Sequence, residues 1–180
     1  VLQDEIIGHT ERVASEGYLL TYFVLGVGFR EELIKLLCFA LIAPLLRPAH
    51  PIERFLTAAA VGLGFATLEN VGYFSIELGP VVLARFLTAN FFHLTLTGCS
   101  GFALVEALDR GEEAWMDFTK TFFLMVALHG TYDYLLSTSL MDGTLSYFAM
   151  TVFVYIAMRF LADARSMSDI YGHRYPMPLV

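Results

Sequence analysis

The chain has 180 residues, 57% of them hydrophobic and 16% charged, with a mean hydropathy of +0.62. A soluble domain of this length carries about a quarter charged residues, so the composition is that of a membrane protein. The net charge of −7 and the lack of a basic stripe argue against a nucleic-acid partner.

In chain order, residues 1–17 (VLQDEIIGHTERVASEG) begin at Val1 and show no basic stretch ahead of an apolar core. They do not read as a signal peptide, and are expected to lie at the interface or outside the membrane. Five apolar stretches follow, at 18–46, 55–74, 82–105, 118–138 and 145–162. A spanning helix needs about 20 apolar residues, so the expected fold is all-α: a polytopic transmembrane helix bundle of about five spans. The first stretch is too long for one span and is interrupted by REELIK, and Gly26 and Gly28 just before it predict a break there. The segment RPAHPIER reads as a turn, because its prolines stop one helix before the next. The third stretch is spaced by Ala84, Ala89, Thr95, Gly98, Ser100 and Gly101, small residues that let helices approach closely. LDRGEEAWMD and STSLMDGT read as polar connections, and residues 163–180 as a poorly ordered cytoplasmic tail, which leaves 18–162 as the membrane domain. Cys38 and Cys99 lie in apolar runs and are read as buried packing residues, with no disulfide or zinc-ribbon spacing.

Cations set the expected orientation. Arg47, Arg54, Arg110, Lys120, Arg159, Arg165 and Arg174 collect on one side, against Arg12 and Arg85 on the other. This puts the N-terminus outside and the C-terminus in the cytoplasm.

Ionisable and amide side chains interrupt the apolar stretches: Glu31, Glu32, Lys35, Glu69, Asn70, Asn90, His93, His129 and Asp133. A charge at the bilayer centre costs about 2.5–3.5 kcal/mol on insertion scales, so these groups must meet one another, water or an ion. Glu31 and Lys35, and His129 and Asp133, are four residues apart and share a helix face. Glu31 and Glu32 point about 100° apart and must do different things, one aimed at the site and one at Lys35 or the backbone. Counted from the outer ends of their spans, Glu69, His93, His129 and Asp133 fall in one band in the outer half of the bilayer. Glu31 joins that band only if the first span is broken.

Each group also has a purely structural reading: an ion pair locking helices, a hydrogen-bonded core histidine, an orienting pair, a helix cap. Taken together, the cluster suits hydrolysis by carboxylate-activated water, a Glu/His metal site, or an ion path; few spans and no inverted repeat speak against the last. Ser75, Ser100 and Ser137 lack a nucleophile-elbow setting.

Four motifs carry a resemblance. They are REELIK (Glu31, Glu32, Lys35), GFATLENVGYF (Phe65, Glu69, Asn70), FFHLTLTGCSGFAL (His93, Gly98, Gly101) and HGTYDYLL (His129, Gly130, Tyr132, Asp133, Leu136). In order and spacing they resemble the PrsW family of intramembrane proteases, a branch of the superfamily that includes the CAAX prenyl endopeptidases. The resemblance implies a multi-pass protease of a bacterial or archaeal cell membrane. It would cut a membrane-tethered protein, anti-sigma-factor-like in some members, on the extracytoplasmic side. It also implies that Glu31 or Glu32 activates water. The CAAX branch has His where this chain has Glu69, and Asn where it has Asp133. The site here is therefore more anionic and better suited to a metal, and an ionised Asp133 could only accept hydrogen bonds.

The expected catalytic set is Glu31, Glu32, Glu69, His93 and His129, supported by Lys35 as countercharge, Asn70 as neutral donor near the scissile carbonyl, and Asp133. The leading reading requires no cofactor. Zinc or iron is the alternative, with Glu69, His93 and His129 as ligands. A non-catalytic ion-binding scaffold is the reading from another class.

Overall fold

A computed structural model describes residues 16–46, 50–74, 80–138 and 143–174. Every element among them is helical: α1 (Glu16–Thr21), a π-helical segment (Tyr22–Gly28), α2 (Phe29–Leu46), α3 (Pro51–Phe74), α4 (Pro80–Arg110), α5 (Glu112–Ser137) and α6 (Gly143–Arg174). The sequence supports this locally, because the runs are rich in Leu, Ala, Phe and Met and almost free of interior proline. Pro44, the exception within α2, lies two residues before the last residue of that helix.

Four expectations change in detail. The break near Gly26 and Gly28 is not a chain break. Helical structure continues from Glu16 to Leu46, and the irregularity is a π segment whose hydrogen bonds reach one residue further than those of an α-helix. The polar connection LDRGEEAWMD shrinks to Gly111, with φ 79° and ψ −150°, a conformation essentially reserved for glycine. The tail expected from residue 163 stays helical to Arg174, since no proline intervenes before Pro176. Cys38 is exposed; only Cys99 is buried. The expected N-terminal segment up to residue 15, residues 47–49 of the first turn, residues 139–142 of the last connection and the chain beyond 174 lie outside the described residues.

Helix α4 is the axis of the bundle and touches α2, α3, α5 and α6. Its small residues make this possible. An added Cβ at Gly101 would run into Ala58 of α3 and meet Phe39 of α2 at 3.0 Å, and one at Gly98 would meet Phe55 at 3.0 Å. Phe92, Leu96, Cys99 and Phe102 of α4 form one core with Phe55 and Ala59 of α3, Met125 and Tyr132 of α5 and Phe153 of α6. Leu36, Phe39, Ala58, Phe122 and Val126 form a second core between α2, α3 and α5.

By length and composition, two of the described helices, Pro51–Phe74 and Thr88–Arg110, are apolar enough to cross a membrane. Helices α2 and α5 carry most of the clustered ionisable residues, and α6 ends in a polar sequence.

Candidate active site

The four sequence motifs converge on one point. Lys35 is wholly buried, and its Nζ donates to Glu32 Oε1 at 2.7 Å and lies 2.8 Å from His93 Nδ1. An ammonium can only donate, so Nδ1 of His93 accepts and its Nε2–H donates to Glu69 Oε2, also at 2.8 Å. Glu32 Oε1 accepts a second bond, from His129 Nδ1 at 2.7 Å. The other nitrogen of His129, Nε2, lies 3.3 Å from Asp133 Oδ2 and 3.5 Å from Glu31 Oε2. The result is a continuous relay, Glu69–His93–Lys35–Glu32–His129–Asp133, drawn from α2, α3, α4 and α5.

Aromatic rings line the relay. Phe65 lies 4.4 Å beneath the Lys35 ammonium, a cation–π contact. Phe92 packs edge-on against both imidazoles and stacks on Tyr132. This wall packs against both imidazole rings.

Glu31 and Glu32 divide as their 100° separation requires. The Glu32 side chain has no exposure and is held by Lys35 and His129. Glu31 keeps 14% exposure, and its Oε2 has no hydrogen-bond partner, with Lys35 at 3.8 Å and His129 at 3.5 Å. Glu69 and Asp133 are also open on one side, at 28% and 26%. Carboxylates thus form the accessible rim, and the cation and imidazoles lie behind it.

Asn70 takes a different part from the one expected. It is buried and its Nδ2 donates to Asn90 Oδ1 at 3.1 Å, so it ties α3 to α4, and its own Oδ1 is buried without a partner. Asn90 received no role from the sequence. Its signal was available: it sits three residues before His93, on the same face of α4.

Glu31, His93 and His129 each offer a ligand atom, all within 4.8 Å of one another. Two imidazoles and a carboxylate are the donor kinds of catalytic zinc sites. The unpartnered Glu31 Oε2 is a donor free to engage, so the residues fit a divalent ion. His93 would have to exchange Lys35 or Glu69 for it. The carboxylate in this set is Glu31, not Glu69 as expected; Glu69 holds the far side of His93, the place of an outer partner that orients a ligand.

Comparison with known proteins agrees with the motifs. The family profile matching residues 2–158 is described as PrsW family intramembrane metalloprotease. The chain is 30% identical over 133 residues to Protease PrsW of Bacillus subtilis (strain 168), covering 71% of this chain and 58% of that protein. It is 34% identical over 91 residues to Protease PrsW of Geobacillus kaustophilus (strain HTA426), covering 48% of this chain and 39% of that protein. The matched stretches therefore span 58% and 39% of the length of these two curated relatives. No solved structure matches it significantly. With a profile match over most of its length, the chain belongs to the PrsW family.

Proposed function

We propose that the protein is an intramembrane endopeptidase that hydrolyses a peptide bond of a membrane-tethered protein on the extracytoplasmic side. The observation that carries this is the relay itself: six buried or half-buried ionisable side chains joined across four helices, with Glu31 beside them, in a bundle with many exposed apolar side chains. Leu25, Leu37, Leu41 and Leu45 on the first helical stretch, Leu68 and Val71 on α3, Phe123 and Leu124 on α5 and Tyr155 and Met158 on α6 are all exposed. Exposed leucines around buried Glu32, Lys35, His93 and His129 suit a bundle immersed in lipid, and the cation bias supports about five spans with the N-terminus outside and the C-terminus in the cytoplasm.

Glu31 is the base in this reading. Its side chain keeps 14% exposure and its Oε2, buried without a hydrogen-bond partner, takes a proton from the water that attacks the scissile carbonyl. Glu32 is held by two donors and supports: it fixes the His129 Nδ1–H, so that Nε2 faces the reaction. His129 Nε2, 3.5 Å from Glu31 Oε2, receives the proton that Glu31 took from water and passes it to the leaving amine, with Asp133 steadying the ring. Lys35 offsets the Glu32 charge, and Glu69 orients His93. A divalent metal held by Glu31, His93 and His129 would lower the pKa of its water and polarise the carbonyl. That metal-dependent form is the second reading, favoured by the fit of the donor set.

The test uses a pool of single-pass substrates with randomised extracytoplasmic juxtamembrane residues, tagged at both ends and incubated with purified protein in liposomes. Cleavage by the wild type and none by Glu31→Gln is expected. No cleavage of any pool member by the wild type would sink the reading. Elemental mass spectrometry on the same preparation separates its two forms: about one metal ion per chain, lost in His129→Ala, against none in protein that still cuts.

A further inference from the structure

The helical stretch that carries Glu31 and Glu32 is not uniform. In an α-helix each residue turns about 100°, so Phe23 would point about 160° away from Phe39, 16 residues later. Yet both are buried, at 4% and 0% exposure, as are Leu19, Val27, Glu32, Lys35 and Leu36. The π segment between them reconciles these faces. It takes up about one extra residue, a rotation of about 100°, and brings Leu19, Phe23 and Val27 round toward the face that carries Glu32 and Lys35.

The segment rests on α5 through glycine. A Cβ added at Gly28 would lie 2.8 Å from the Val126 carbonyl oxygen and 2.9 Å from the Gly130 nitrogen. One added at Gly130 would overlap Val24 Cα, Val24 N and the Phe23 carbonyl carbon. All of these are backbone atoms, so no side-chain rearrangement relieves the overlap. The contact sits at the site: Gly28 is one turn before Glu31 and Glu32, and Gly130 follows His129 directly.

We propose that the π segment Tyr22–Gly28 and the Gly28–Gly130 backbone contact form a positioning device that sets Glu31 and Glu32 against His129. The π segment sets the rotation of the two carboxylates, and the glycine contact sets their distance. Together they hold the 2.7 Å Glu32–His129 bond and the 3.5 Å approach of Glu31. A displacement of about 1 Å at such a distance is enough to lose about 100-fold in rate. As a statement about catalysis, the inference rests on the endopeptidase reading; as a statement about geometry it does not.

The test compares Gly28→Ala, Gly130→Ala and a deletion of Gly26, which removes the extra residue, with Gly64→Ala, a helical glycine with nothing within 4 Å of an added Cβ. Two readouts are taken on detergent-purified protein of measured melting temperature: steady-state cleavage of a pool substrate, and histidine-selective 15N NMR of the His129 Nδ1–H bond to Glu32. The three variants are expected to fold with a lowered melting temperature, to lose the hydrogen-bonded Nδ1–H signal, and to lose about 100-fold in kcat with KM within about threefold, measured below the melting transition. Gly64→Ala should match the wild type in both. If Gly28→Ala and Gly130→Ala keep both the signal and kcat, the inference is wrong. It is equally wrong if they yield no folded protein while Gly64→Ala does, because the contact would then serve folding alone. If the wild type cuts no pool member but the NMR behaves as described, the endopeptidase reading fails and the positioning geometry stands.

Discussion

At the scale of the residue, the adjacent carboxylates Glu31 and Glu32 have separable costs. Glu32 is a buried partner of both Lys35 and His129, and removing one member of a buried charge pair strands the other, at about 3–5 kcal/mol. Glu32→Gln is therefore expected to lower the unfolding free energy in detergent by that order, and Lys35→Met to do the same. Glu31 makes no hydrogen bond through Oε2, so Glu31→Gln should leave the melting temperature unchanged while cleavage falls by about 10²–10⁴-fold, the usual contribution of a general base. A melting curve beside a cleavage assay on the same two variants checks both. If Glu31→Gln unfolds the protein and Glu32→Gln does not, the division of roles is reversed.

At the scale of the element, close helix approaches hold each imidazole. Gly62 of α3 lies against the His93 carbonyl, where an added Cβ would overlap the oxygen, and Gly130 abuts the π segment beside His129. Gly62→Ala should push α3 from α4 and weaken the 2.8 Å His93–Glu69 bond. The expected outcome is reduced cleavage together with a lower melting temperature, since the obstacle is backbone. Gly111 has space around it but φ 79°. Gly111→Ala should cost about 1–3 kcal/mol of stability through backbone strain and leave kcat untouched, because the turn is remote from the relay. Arg54 at the start of α3 pairs with Glu106 and Asp109 at the end of α4 and clamps the same two helices at their other ends.

At the scale of the whole molecule, many leucines and aromatic side chains are exposed while Glu32, Lys35, His93 and His129 are buried. Cys38 is an exposed thiol on α2, and Cys99 is buried in the core. In native membranes a lipid-soluble maleimide should label Cys38 and spare Cys99, while a charged, membrane-impermeant maleimide should label neither. Labelling of Cys38 by the charged reagent would mean that this face of α2 meets water, and would count against lipid immersion. After detergent solubilisation and unfolding both thiols should react.

The motifs made much of the site legible without a structure. REELIK, GFATLEN, HGTYDYLL and His93 stand out because ionisable groups in apolar runs have few places to go, and helical spacing pairs His129 with Asp133 and Glu31 with Lys35. The all-helical class followed from composition and run length for the same reason. Several features did not follow. Spacing could not tell which of Glu31 and Glu32 faces Lys35, since the rotation of a helix is set by its neighbours. The glycines at 26 and 28 announced an irregularity but not its form, because a π segment and a broken helix share the same sequence cues. Asn70 looked like a free donor until Asn90 of another helix was beside it. Local pattern and solvation, which act on short stretches, were therefore readable from the chain alone. Rotation, register and cross-helix partners arise only when helices pack, and the tertiary structure alone decided them.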